Sequence, residues 1–224
     1  MPYLCFMIRL TLIAVFSFLL LHTVVAQDKD VANKKLTHDM VISGIFDYDL
    51  ASQIVDETNL RREAEGRAPL KMTHKLCEIA MLRAAESAPS LPHPYDYPHY
   101  RPNGDRFNTM LDREDLCYRE SENIHYGNFD AQRIVDNWMS SEGHRRNLLD
   151  SLMTTIGVGT FKWYNDEGEL VEVTVSTQLF GDCPVDEDIR PSGVEKVQVN
   201  VTSKPNTKSK VIKRETYKVA PDTD

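Results

Sequence analysis

The sequence predicts an α+β fold in which helices pack as layers on an antiparallel sheet. Two patterns carry this expectation. Apolar residues recur at helical spacing in three segments before residue 140, and Val171, Val173, Val175, Thr177 and Leu179 alternate with the period of a strand that has one face on a core. Composition allows such a core, with 41% hydrophobic and 27% charged residues over 224 positions. That length suits one domain with appendages.

Taken in order, residues 1–26 read as an export signal. Arg9 supplies the positive start, 10–25 the apolar run and Val24-Val25-Ala26 a small-residue cleavage site. A retained membrane anchor is the competing reading. The run falls short of the roughly 20 residues that span a bilayer, and Ser17, His22 and Thr23 interrupt it. The mature chain is therefore expected to be secreted, extracellular or periplasmic. Export permits disulfides. Cys77, Cys117 and Cys183 remain after cleavage, which leaves three pairings open beside three thiols.

Residues 27–48 are polar and hold no period, so they read as an N-terminal arm. A first helix is expected over 49–65, from Leu50, Ile54 and Val55, with Gly66 as its stop and Pro69 following. A second spans 73–88 with Leu76, Ala80, Arg83, Ala84 and Ser87 on one face. Residues 89–104 form a loop in which Pro89, Pro92, Pro94, Pro98 and Pro102 forbid regular structure while His93, Tyr95, Tyr97, His99 and Tyr100 decorate it. Asp130 caps a third helix bearing Ala131, Ile134, Val135 and Trp138, and a short fourth covers 144–149. A hairpin follows, with arms 155–164 and 169–180 around the turn 165–168. The folded domain is thus expected over 49–183. Residues 184–224 read as a flexible tail in which Lys204, Lys208, Lys210, Lys213 and Arg214 occur without an intervening acid, a solvated segment or one that touches an anionic surface.

The chemistry concentrates between residues 99 and 159. Glu122-Asn123-Ile124-His125-Tyr126-Gly127 precedes Trp138, Gly143-His144-Arg145-Arg146-Asn147 and Ile156-Gly157-Val158-Gly159, and His99 stands upstream. Two imidazoles and a carboxylate are the raw material of a metal site or a polar cleft. His99, Glu122 and His144 could hold zinc at about 2 Å with one position left for water; a hydrogen-bonded cluster that fixes loop geometry uses the same groups. His125 is expected to point away from Glu122, His93 is the substitute for His99, and Trp138 belongs to the core. A net charge of −8 argues against nucleic acid as a partner.

These residues resemble the CAP superfamily of cysteine-rich secretory, antigen 5 and pathogenesis-related proteins, in its short secreted bacterial form. Asn59, Arg62, Gly66, Pro69 and Leu70 match its opening, followed by Leu76, Ala80, Arg83 and Ala84, by His99 with Arg101-Pro102-Asn103-Gly104, and by the segments quoted above up to Gln178-Leu179-Phe180-Gly181. The resemblance implies a three-layer α-β-α sandwich with a central antiparallel sheet and a concave cleft lined by two histidines and two acids. His99, Glu122 and His144 match three of those positions; Ser141, with Glu142 beside it, stands near the fourth. Two functions follow as expectations. One is a secreted protein whose cleft binds a small apolar or envelope-derived ligand or a divalent cation. The other is a metal-assisted hydrolase of peptide or wall material.

Overall fold

The computed structural model describes residues 35–88, 91, 99–111, 119–184 and 190–216, so residues 1–26, read above as an export signal, and Cys117 lie outside it. Seven strands and four α-helices are found along these residues. Strand β1 is Met40–Asp47, helix α1 Tyr48–Ala64, β2 Lys71–Met72, α2 His74–Glu86, β3 Glu120–Tyr126, α3 Ala131–Ser140, α4 Glu142–Leu148, β4 Thr155–Trp163, β5 Val175–Gly181, β6 Val194–Val201 and β7 Lys210–Thr216. One sheet runs in the order β3-β5-β4-β1-β6-β7, and β2 adds two parallel residues beside β4. Helix α2 covers one face, while α1, α3 and α4 group on the other. The fold is a three-layer α-β-α sandwich.

The helices begin where side chains can cap them. Asp47 accepts the Leu50 N–H at 2.9 Å, Thr73 the Leu76 N–H at 3.3 Å and Asp130 the Arg133 N–H at 2.8 Å. After α1 the chain turns at Gly66, whose φ of 69° lies in the left-handed region that costs glycine least. Two polar residues of α1 then hold the returning chain. Asn59 exchanges two hydrogen bonds with the Leu70 backbone, and Arg62 donates to the carbonyls of Ala68, Leu148 and Asp150.

Helix α2 lies unusually close to β4. A Cβ on Gly157 or Gly159 would fall 2.2 Å or 2.1 Å from a backbone carbon of Leu76 or Ala80. On the opposite face Trp138, 1% exposed, fills the space under β3 and donates its indole N–H to the Ile124 carbonyl at 3.2 Å.

The structure corrects three expectations. The segment read as an arm contributes β1, which lies between β4 and β6 and pairs with β6 from Met40↔Val201 to Asp47↔Val194. The segment read as a flexible tail contributes β6 and β7, so the folded body extends past 183. Strand β5 is buried along all seven residues rather than on alternate ones, because helices cover both faces of the sheet. Of its polar members, Gln178 finds an inward partner, donating to Thr58 at 2.6 Å, and Thr58 in turn donates to the Ile54 carbonyl at 2.7 Å; the Ser176 and Thr177 hydroxyls are buried without one. Cys77 is a buried thiol, and Cys183 is disulfide-bonded.

Candidate functional site

Strand β3 forms one edge of the sheet, and its alternation sends neighbouring side chains to opposite layers. Glu122 turns toward α2 and Asn123 toward α4. The two sides of the site grow from this division.

On the α2 side Glu122 is 2% exposed and enclosed by donors. Arg83 Nε donates to Oε1 at 2.8 Å and Nη2 to Oε2 at 3.3 Å. His99 Nδ1 lies 3.0 Å from Oε2. A carboxylate gripped by a guanidinium only accepts, so Nδ1 donates to Glu122 and the opposite ring nitrogen, Nε2, points away from it. The His99 side chain is 42% exposed while that of Glu122 is 0%, so this pair presents an imidazole backed by a buried anion. The Phe107 ring meets His99 edge-on at 6.2 Å.

On the other side a chain of amides fixes α4 to the strand. Asn123 Nδ2 donates to the His144 carbonyl at 3.2 Å and to Gln178 Oε1 at 3.2 Å, while Asn147 Nδ2 donates to Asn123 Oδ1 at 3.0 Å. His144 is thereby held near the strand edge. Partial burial, and then the His99 imidazole nearby, keep its pKa below the ordinary histidine value. His125 continues the row. Burial and then His144 depress its pKa in turn. Asn137 donates to His125 Nε2 at 3.0 Å, which puts the ring proton on a buried Nδ1 that has no hydrogen-bond partner. The ring stands edge-on to Trp138 at 6.1 Å and to the exposed Phe129 at 5.6 Å, on the α3 side of the sheet. Three imidazoles bordered by phenyl edges therefore line one margin of the molecule.

The three-ligand zinc set expected from the sequence does not assemble. Both Glu122 oxygens are taken by Arg83, whose positive charge stands where a cation would have to bind. Among the described residues no group of three or more His, Cys, Asp or Glu side chains is placed to hold a metal ion. His99 and His144 are the donors that remain. Ser141 precedes α4 without a side-chain capping bond, and Glu142 is exposed at its first turn, so neither supplies a second buried acid. His93 lies outside the described residues.

Motif reading quoted Arg83 and Arg101 without giving them a role at the site, and it did not bring out Glu86. Arg83 neutralises Glu122. Glu86, buried one turn further along α2, binds Arg83 Nη1 at 3.2 Å and Arg101 Nη2 at 2.8 Å. A single signal pointed to them: a cation on the same helical face as Leu76 and Ala80 requires a buried counter-charge.

The family profile "CAP: Cysteine-rich secretory protein family" matches residues 55–179, and the chain belongs to that family. Two Bacillus subtilis proteins are similar in sequence. The uncharacterized protein YkwD is 30% identical over 129 residues, 57% of this chain and 48% of YkwD. The uncharacterized membrane protein YlbC is 31% identical over 113 residues, 50% of this chain and 32% of YlbC. The chain thus spans half or less of these relatives' length. Among solved structures, an extracellular protein with an SCP domain from Bacillus anthracis shares 24% identity at a TM-score of 0.47, covering 60% of this chain and 41% of its own. An outer surface protein of Borrelia burgdorferi shares 15% at 0.44, covering 61% and 94%.

Proposed function

We propose that this chain is an exported CAP-domain binding protein that holds a small envelope-derived ligand against the β3 edge. The observation that carries this reading is the commitment of Glu122 to Arg83 and His99. A carboxylate so neutralised is a poor general base and a poor metal ligand. What it does well is orient a ring. His99 Nε2 accepts a hydrogen bond from a ligand hydroxyl or protonated acid, and His144 adds a second polar contact. Phe107 and Phe129 border the row with apolar surface, so the matching ligand has hydroxyl or acidic groups on an apolar body. Export rests on Arg9, the apolar run 10–25 and Val24-Val25-Ala26. A divalent cation would find two imidazoles and bind weakly.

The test follows the imidazole resonances of His99 and His144 by NMR during separate titrations with a muropeptide digest, with decanoate and with zinc chloride. Saturable shifts of both rings with an organic probe, lost in His99→Gln, are expected. Stoichiometric zinc uptake together with hydrolysis of the digest would replace this reading with the metal-assisted hydrolase. Silence of both rings toward both organic probes would also overturn it.

A further inference from the structure

The family match ends at residue 179, yet the turn between β6 and β7 is bonded directly to the loop that carries His99. Arg101 Nη2 donates to the Thr207 carbonyl at 2.8 Å, Asn103 Nδ2 to the Lys204 carbonyl at 2.9 Å, and the Asn206 N–H to Asp105 Oδ2 at 2.7 Å. A fourth contact reaches the layer beneath, where the hydroxyl of Ser209, 2% exposed, donates to Glu86 Oε1. The same hydroxyl accepts the Thr202 N–H at 3.1 Å, which fixes its direction.

Glu86 is the centre of this arrangement. Arg101 reaches it through Nε at 3.0 Å and Nη2 at 2.8 Å, and Arg83 through Nη1 at 3.2 Å. Burial alone would raise the Glu86 pKa, but the Arg101 and Arg83 charges and the Ser209 hydroxyl outweigh it and hold the carboxylate low. Arg83 passes on to Glu122, and Glu122 to His99. Two arginines and two glutamates, each side chain at most 1% exposed, form one neutral chain from the β6–β7 turn to the candidate site. A buried network of this kind is stiff only while every member is satisfied.

We infer that residues 202–209 are a working part of the site, with Ser209 as a positioning residue that sets the His99 ring through Glu86, Arg83 and Glu122. Ser209 supplies the donor that keeps Glu86 between its two arginines. The turn carbonyls of Lys204 and Thr207 hold the loop at Asn103 and Arg101, within four residues of His99. Ligand affinity enters through the binding reading proposed above; the geometry of His99 does not depend on it.

The experiment compares wild type, Ser209→Ala, Ser209→Thr and Arg214→Ala in the full mature chain. Arg214 braces β7 through Tyr48 and Glu195 without touching Glu86, so its loss loosens the strand alone. Imidazole ¹⁵N spectra read the His99 tautomer, and calorimetry reads Tm. In Ser209→Ala the Nδ1–H tautomer of His99 should lose population, in Ser209→Thr it should return, and in Arg214→Ala it should stay despite a comparable fall in Tm. An unchanged His99 spectrum in Ser209→Ala overturns the inference, as does an equal change in Arg214→Ala. If Ser209→Ala does not fold, Ser209→Cys, a weaker donor of similar size, carries the same comparison. Affinity for the muropeptide digest or decanoate should fall about fivefold in Ser209→Ala, the value of one hydrogen bond. If no probe binds while the tautomer shift appears, the positioning role stands and the binding reading alone fails.

Discussion

Replacing Gly159 with alanine puts one methyl group into the tight contact between β4 and α2. The new Cβ would lie 2.1 Å from the Ala80 carbonyl carbon and 2.2 Å from both its oxygen and the Met81 nitrogen. All three are backbone atoms, so no rotamer change relieves the clash. Ordinary contact begins at 3.4 Å, and α2 must therefore retreat by roughly 1.3 Å over this turn. Overpacking of a tight core costs about 1–3 kcal/mol and sometimes more. A backbone clash belongs at the upper end, and the roughly 0.4–1 kcal/mol recovered by stiffening the unfolded chain does not offset it. For a domain of this size about 3 kcal/mol corresponds to a fall in Tm of roughly 6–12 °C. Arg83 sits less than one turn beyond Ala80, so the retreat should also stretch its 2.8 Å bond to Glu122. Calorimetry and the His99 imidazole spectrum measure the two effects. The control is Gly143→Ala in α4, where an added Cβ meets nothing within 4 Å and the helix should gain about 0.5–1 kcal/mol. A Tm for Gly159→Ala within about 2 °C of wild type would refute the close packing argued here.

Other outcomes follow from the same structure. Trp138→Ala should cost about 3–5 kcal/mol in urea denaturation, and an unchanged midpoint would mean the ring is not buried. Limited proteolysis should leave a fragment reaching past residue 210; one that ends near 183 would show that β6 and β7 are not docked. His125 and His144 have folded pKa values below their unfolded ones, so the unfolded chain binds more protons. Stability should therefore be fully present above about pH 6.5 and decline as the pH falls through it, levelling once the folded-state values are passed. Melting temperatures between pH 8 and 5.5 test this, and His125→Asn should flatten the curve.

The helices were legible because each announces itself locally: Asp130 with Ile134, Val135 and Trp138, or Leu50 with Ile54 and Gly66. The hairpin of β4 and β5 was legible for the same reason. Strand β1 was not, because a strand covered on both faces loses its alternation. Its residues Ile42, Ile45 and Phe46 are buried at spacings that fit no single face. The alternation of Val197, Val199 and Val201 was visible but sat beside a basic run, and the strand that completes it lies about 150 residues upstream. Part of that basic run is neutralised, since Arg214 pairs with Glu195 and Glu78 and Lys213 with Glu215. At the site, motif spacing singled out His99, Glu122 and His144, but the chemistry of Glu122 depends on Arg83, 39 residues away in sequence. No local pattern encodes that partnership, and none marks Ser209.

The place of β1 also has a kinetic consequence. The hairpin of β4 and β5 joins segments close in sequence and can assemble early. The ladder between β1 and β6 must instead close a loop of about 150 residues, at an entropic cost near 4–5 kcal/mol before its first contact is rewarded. Such long-range pairing slows folding. Until β6 arrives, β1 offers a bare row of amide and carbonyl groups, and the half-built sheet is open to strand exchange with another molecule. Crowded refolding should therefore yield aggregates whose cross-links map to β1 rather than to the helices.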